Sequence, residues 1–222
     1  MKDGALVSVE KHETAEDYSS WLLPAVDRVL AAGEAVLRDM GMVAVAVGPG
    51  SFTGLRVGLT TAKAWAELHG TPIVGVSRLE AMARLAGQVA PYLAVSFDAQ
   101  RGQLFGGLFR RETKGALSIV GEEMVVAPDE FVEWISRETG EEMVEWVGLD
   151  PDLVMGSASW ATRTAKGEVV VRCDDAIAPQ IAVIGNEKFG RGELVDALRL
   201  DANYVRRSDA EIFWKDPASR GK

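Results

Sequence analysis

Residues 48–58 read Gly-Pro-Gly-Ser-Phe-Thr-Gly-Leu-Arg-Val-Gly, a glycine-rich turn between the apolar run Met42 to Val47 and a helical pattern reaching about Leu68. At such a turn, backbone N–H groups can meet a phosphate, or the chain can be approached closely by another. The details argue against a phosphate cradle. Gly48, Gly50 and Gly54 are spaced G-x-G-x-x-x-G, one residue longer than the dinucleotide fingerprint, and no Lys-Ser or Lys-Thr follows as a P-loop requires. Pro49 removes an amide donor where phosphate would want one. Ser51 is the obvious nucleophile candidate, but GPGSFTG is not G-x-S-x-G, so Ser51 and Thr53 read as caps for the free amides of the helix. A nucleotide-binding ATPase or hydrolase using the Gly48–Gly54 turn is the alternative reading.

Other chemistry has less to draw on. His12 and His69 are the two histidines, without H-x-x-x-H or H-E-x-x-H spacing, so no metal site is expected, and no cofactor either. His69 before Gly70 reads as support for a helix C-terminus. Cys173 cannot form an internal disulfide, and Asp174 and Asp175 beside it raise a thiol pKa rather than activate it. Asp98, Gln100, Arg101 and Gly102 fall where two lobes would meet; Asp98 could contact a ligand there or pair with Arg101 across a cleft. After the glycine turn, Gly54, Gly58, Ala62 and Ala66 recur every fourth residue and set small side chains along one helix face. Glycine inside a helix costs about 0.5–1 kcal/mol against alanine, which points to close packing as the purpose.

The elements that must position these residues follow from periodicity. A helix from Asp17 or Ser19 to Ala32 carries Leu22, Val26, Val29 and Leu30 as a stripe, with Trp21 and Leu23 flanking. Ala5–Glu10 alternates like a short strand. Buried strands are expected at Met42–Val47 and Ile73–Val76, and a helix over Ser77–Ala86, capped by Ser77 with Glu80 at capping-box spacing. Tyr92–Phe97, Gln103–Arg110 and Leu117–Glu123 read as strands, the last two joined near Lys114-Gly115. Pro128–Arg137 and Pro179–Phe189 read as helices, and Val144–Leu149 and Val169–Val171 as strands. The class is α/β in two lobes, divided near residues 92–98.

Composition narrows the function. The 222 residues are 47% hydrophobic, with no apolar run long enough to span a bilayer. No export signal precedes Ala5, so a cytoplasmic protein with no membrane partner is expected. With 33 acidic against 24 basic residues and a net charge of −9, the chain is a poor autonomous binder of RNA. The locally basic Arg206, Arg207, Lys215, Arg220 and Lys222 could touch RNA within a larger assembly.

The string GPGSFTGLRVG resembles the signature of the TsaB (YeaZ) family of tRNA threonylcarbamoyladenosine (t6A) synthesis, on Gly48, Pro49, Gly50, Ser51, Phe52, Thr53, Arg56 and their neighbours. Leu22-Leu23-Pro24, Pro72 to Ser77, Phe97-Asp98-Ala99 and Asn203 to Glu211 match in order. The likeness is dense over residues 18–110, thin over 111–200, and returns at 203–215. It implies an actin-like, sugar-kinase-like (ASKHA) α/β fold of two lobes, residues 1–94 with the partner-binding helices and residues 95–222. It also implies a non-catalytic scaffold that binds and activates a TsaD-like catalytic subunit, joined by a TsaE-like ATPase. A homodimer is a second mode of assembly, and tRNA is met only through the complex. The partner-binding residues would be Trp21, Leu22, Val26 and Val29 with Gly54, Gly58, Ala62 and Ala66. The peptidase label of the wider superfamily implies no activity. Two departures stand out. Gln100 occupies the arginine position of the family's Asp-Ala-Arg, and Met1 begins after the family's opening Asp-Thr strand, so that strand is expected to be missing and a sheet edge uncovered.

Overall fold

The computed structural model describes residues 1–12, 17–87, 89–112, 116–203 and 205. Helix α1 (Tyr18–Ala32) starts from an extended Asp17 and ends at Gly33, whose N–H returns to the Val29 and Leu30 carbonyls. Pro24 lies inside it on the solvent side, and Ala25 is its buried residue. Strand β1 (Val43–Gly48), helix α2 (Phe52–His69) and strand β2 (Ile73–Ser77) form a parallel β-α-β unit, with Val43 opposite Ile73 and Ala46 opposite Val76. Ser77 then caps the short helix α3 (Arg78–Ala83) by accepting from Glu80 N–H at 3.1 Å. The reciprocal half of the expected capping box is absent, because the Glu80 carboxylate holds Lys188 at 3.0 Å.

Side chains of β1 alternate between two cores. Val43, Val45 and Val47 join Leu59, Ala62 and Ala66 of α2, while Met42, Ala44 and Ala46 face the core that holds α3. Burying a Val or Leu side chain of this kind contributes about 1.5–3 kcal/mol, which is what fixes the register.

A second sheet has strand order β5-β4-β3-β6-β7, built from β3 (Tyr92–Gln100), β4 (Gln103–Arg111), β5 (Leu117–Val126), β6 (Val144–Gly148) and β7 (Val170–Arg172). β3 to β5 form an antiparallel meander, and β6 and β7 continue in parallel. Helices α4 (Pro128–Thr139), α5 (Pro151–Met155) and α6 (Ala161–Thr164) accompany it. Its core centres on Trp146, which meets Phe131 and Trp160 edge-on at 6.0 and 5.0 Å. A buried network closes that end: Glu168 accepts from Val144 N–H at 3.1 Å and Trp146 Nε1 at 2.6 Å, and pairs with Arg163 at 3.4 Å.

The chain then returns to the first sheet. Helix α7 (Ala178–Gly190) packs against β1 so closely that a Cβ on Gly185 would stand 2.5 Å from Ala44 Cβ. The segment 194–203 crosses α2, burying Ala197, Leu200 and Ala202 on Leu59, Ala62 and Ala66. Lys63 Nζ donates to Leu200 O at 2.9 Å, and Asn203 N–H to Val47 O at 2.7 Å. Parallel strands need cover on both faces, and part of the cover of the first sheet comes from residues 177–202.

Ala5–Glu10 is not a strand. Lys2 and Ala5 bridge each other, and residues 6–10 carry no regular secondary structure, with Leu6, Val7 and Val9 exposed. A strand exists only with a neighbour to take its backbone bonds, and alternation cannot supply one. The expected turn at Lys114-Gly115 and the basic tail from Arg206 onward lie outside the described residues.

Candidate functional site

The face that chemistry and packing single out is a groove of about 1090 Å³ beside β1. Trp21, Leu22 and Val29 of α1 form one wall, and Gly54, Val57 and Gly58 of α2 another. Ala44 and Ala46 lie at its floor, Ile177 and Ile181 close it from the α7 side, and Val7 and Val9 of the N-terminal segment lie along it. β1 pairs with β2 alone among the described strands, so its other edge lies along this groove.

The small-residue stripe divides. A Cβ placed on Gly58 would meet nothing within 4 Å, so this position is open. Ala62 and Ala66 are 3% and 5% exposed, covered by the returning segment. Successive i, i+4 positions rotate about 40° around the helix, and four of them leave one side for the next. Of the other partner positions, Val26 is half-buried on α1, next to exposed Leu23.

At the turn, Gly48 sits at φ 122° with Asn203 O only 2.9 Å from where a Cβ would stand, so glycine is required. The Gly48-Pro49 peptide is cis. Ser51 caps α2 through the Gly54 N–H at 3.1 Å. Thr53 is exposed inside the first turn and makes no cap, since the single N-cap position belongs to Ser51. Arg56 stacks its guanidinium over Phe52 at 3.8 Å.

Next to this turn, β5 supplies a residue that sequence reasoning passed over. Glu123 receives the Ser77 hydroxyl on one oxygen and Asn203 Nδ2 at 2.6 Å on the other. It thus ties the second sheet to the α3 cap and to the returning segment. Burial pushes its carboxyl above the usual range, against the pull of those two hydrogen bonds. Asn203 was within the matched closing segment; nothing in the run Leu117–Glu123 marked its last residue as a junction.

Asp98 and Arg101 lie at the β3–β4 hairpin rather than in the walls of the groove. Asp98 accepts the backbone N–H and the side-chain amide of Gln100, both at 2.7 Å, while Gln100, Arg101 and Gly102 all take positive φ. His12 stacks on Tyr18 at 4.3 Å, and His69 is exposed in the last turn of α2 before the left-handed Gly70. The Cys173 thiol is pushed up by burial first, with Asp174 and Asp175 adding to it. Lys11 pairs with both aspartates, at 2.8 and 3.3 Å, and its hydrogen bond brings Asp174 down to about 2. Among the described residues no three His, Cys, Asp or Glu side chains gather to hold a metal ion, and no helix is long and apolar enough to cross a membrane.

Residues 9–145 match the family described as "TsaD: tRNA N6-adenosine threonylcarbamoyltransferase". The tRNA threonylcarbamoyladenosine biosynthesis protein TsaB of Bacillus subtilis strain 168 is 30% identical over 200 residues, covering 90% of this chain and 84% of that protein. TsaB of Escherichia coli K12 is 26% identical over 204 residues, covering 90% and 84%. The solved structure of YeaZ from Pseudomonas aeruginosa superposes with a TM-score of 0.68 at 23% identity, covering 87% of each chain. That likeness shows that the two share an α/β fold. Glycine turn, open α1–α2 face and relatedness over most of the chain agree, and the chain belongs to the TsaB (YeaZ) family.

Proposed function

We propose that this protein acts in t6A synthesis on tRNA as a non-catalytic scaffold, binding and activating a TsaD-like catalytic subunit. The observation that carries the reading is the open face formed by α1 and the start of α2. Trp21, Leu22 and Val29 stand beside Gly54 and Gly58, and the space over Gly58 is empty. A second helix can approach the backbone there more closely than over any larger side chain. The proposed contact surface is Trp21, Leu22, Val26, Val29, Gly54 and Gly58; Ala62 and Ala66 support it from the core. Aromatic and apolar residues around small ones are what well-packed interfaces use as anchors. A TsaE-like ATPase joins the assembled pair, tRNA is reached only through it, and a homodimer uses the same face when the partner is absent. The setting is the cytoplasm.

The test is Gly58→Leu, with association to the catalytic subunit followed by light scattering. A bulky side chain holds the facing helix away, an overpacking cost of about 1–3 kcal/mol, or roughly five- to 150-fold in affinity. The variant should keep its fold. Unchanged association would remove α2 from the interface; lost monomer stability would place Gly58 in the core.

A further inference from the structure

Arg84, Arg111 and Arg163, each half-buried or buried, hold a carboxylate: Glu187 at 2.8 Å, Glu145 at 2.9 Å and Glu168 at 3.4 Å. Arg78 is half-buried too, and among the described residues its guanidinium has no hydrogen bond or ion pair. Its Cζ lies 4.2 Å from the centre of the Phe97 ring. Its Nη1 lies 3.5 Å from where a Cβ on Gly50 would stand, so the group is wedged between an aromatic face and the glycine turn. Burial lowers its pKa from the ordinary arginine value. Asp175 is the strongest opposing charge that acts on it, and that carboxylate is already paired with Lys11 at 3.3 Å.

A guanidinium carries five N–H donors and stays charged; the Arg78 nitrogens still reach solvent, so water takes those donors and the charge is left without a protein counter-charge. The chemistry that resolves this is an oxyanion able to take two parallel N–H bonds. Ser77, next in sequence, cannot serve, since its hydroxyl is committed to Glu123 and to the Glu80 N–H. Gly50 leaves the approach to Nη1 free of a side chain. Pro49 denies the turn a full amide cradle for a nucleotide, but an oxyanion held by a guanidinium needs none.

We propose that Arg78, backed by the Phe97 ring and bordered by Gly50, binds a phosphate-type oxyanion beside the glycine turn. The site is separate from the α1–α2 face and does not depend on the scaffold reading.

Inorganic phosphate titrated into the full chain, at ionic strength held constant with chloride, tests it through the thermal midpoint. The wild type should show a saturable rise. Arg78→Gln should weaken the apparent affinity about tenfold or more, and Arg78→Lys should fall between, keeping the charge without the fork. Phosphate stabilises many proteins by exclusion from their surface, so the comparison with Arg78→Gln carries the result. AMP in a parallel series separates the sources: tighter binding than inorganic phosphate assigns a nucleotide-borne group, equal or weaker binding a free anion. No saturable rise in the wild type, or the same rise in wild type and Arg78→Gln, overturns the site. Should Arg78→Gln fail to fold, Arg78→Lys decides: an affinity equal to the wild type's overturns the site.

Discussion

The five-stranded sheet is covered on both faces, by α4 with Phe131, Val132 and Ile135 on one and by α3 with Leu79 and Met82 on the other. The two-stranded sheet has α2 and α7 on its faces but leaves one edge of β1 along an apolar groove. Along that groove Val7, Val9 and Tyr18 are exposed. The second half also exposes Ile119, Met143, Val169 and Val171, but both faces of its sheet are packed, whereas the first half keeps its apolar side chains along a groove. Large exposed apolar surface with a polar surround is how proteins mark where another chain docks. The comparison teaches that the two sheets are finished differently: the second is packed on both faces, and the first keeps an apolar edge along the groove, the face on which the proposed contact rests.

The largest expected effect lies in the second sheet. Glu168→Ala would leave Arg163 buried beside Thr139 and Trp146 without its counter-charge. Removing one partner of a buried pair costs about 3–5 kcal/mol, read as a lower urea midpoint. A loss under about 1 kcal/mol would show that this end of the molecule is looser than its packing implies.

A single chemical change made in both halves sharpens the contrast. Gly106→Ala on β4 would put a Cβ 2.5 Å from the Phe131 ring, and the fully packed core should answer with a loss of about 1–3 kcal/mol. Gly58→Ala on α2 meets nothing within 4 Å, so the better helix former should add about 0.5–1 kcal/mol. Both are read by chemical denaturation. Effects of the same sign would dissolve the distinction between filled and open halves.

The smallest effect concerns the tie between the halves. Since the folded protein raises the Glu123 pKa, the native state binds that proton more tightly than the unfolded chain does. Its contribution is fully present below the unfolded value and is lost as pH rises through the folded one. Glu123→Gln is neutral throughout, so its thermal midpoint should gain on the wild type as pH rises above the ordinary glutamate range. A constant gap would mean that the carboxyl is not burdened by its burial.

Much of this was readable beforehand where the signal is local. The helices at Tyr18–Ala32, Phe52–His69 and Pro128–Thr139 carry their own periodicity, and the Ser51 and Ser77 caps needed only the residues after them. Ala5–Glu10 failed because pairing is a property of two segments and alternation belongs to one. The division of the stripe between Gly58 and Ala62 depended on what returned to cover α2, namely Ala197 and Leu200. Glu123 and Arg78 were invisible for the same reason: each is defined by partners 46 and 80 residues away or by the lack of one.

That return has a consequence for how the protein is made. β1 and β2 leave the ribosome early, yet α7 and residues 194–203, which seal them, follow about 100 residues later. The second sheet can finish once Arg172 has emerged. Until Asn203 reaches Val47 and Glu123, the first sheet waits with Ala62, Ala66 and Leu59 uncovered. The returning segment is therefore a seal of completion: a nascent chain stalled before Leu194 would hold one finished half and one sticky half, a form that chaperones and proteases recognise.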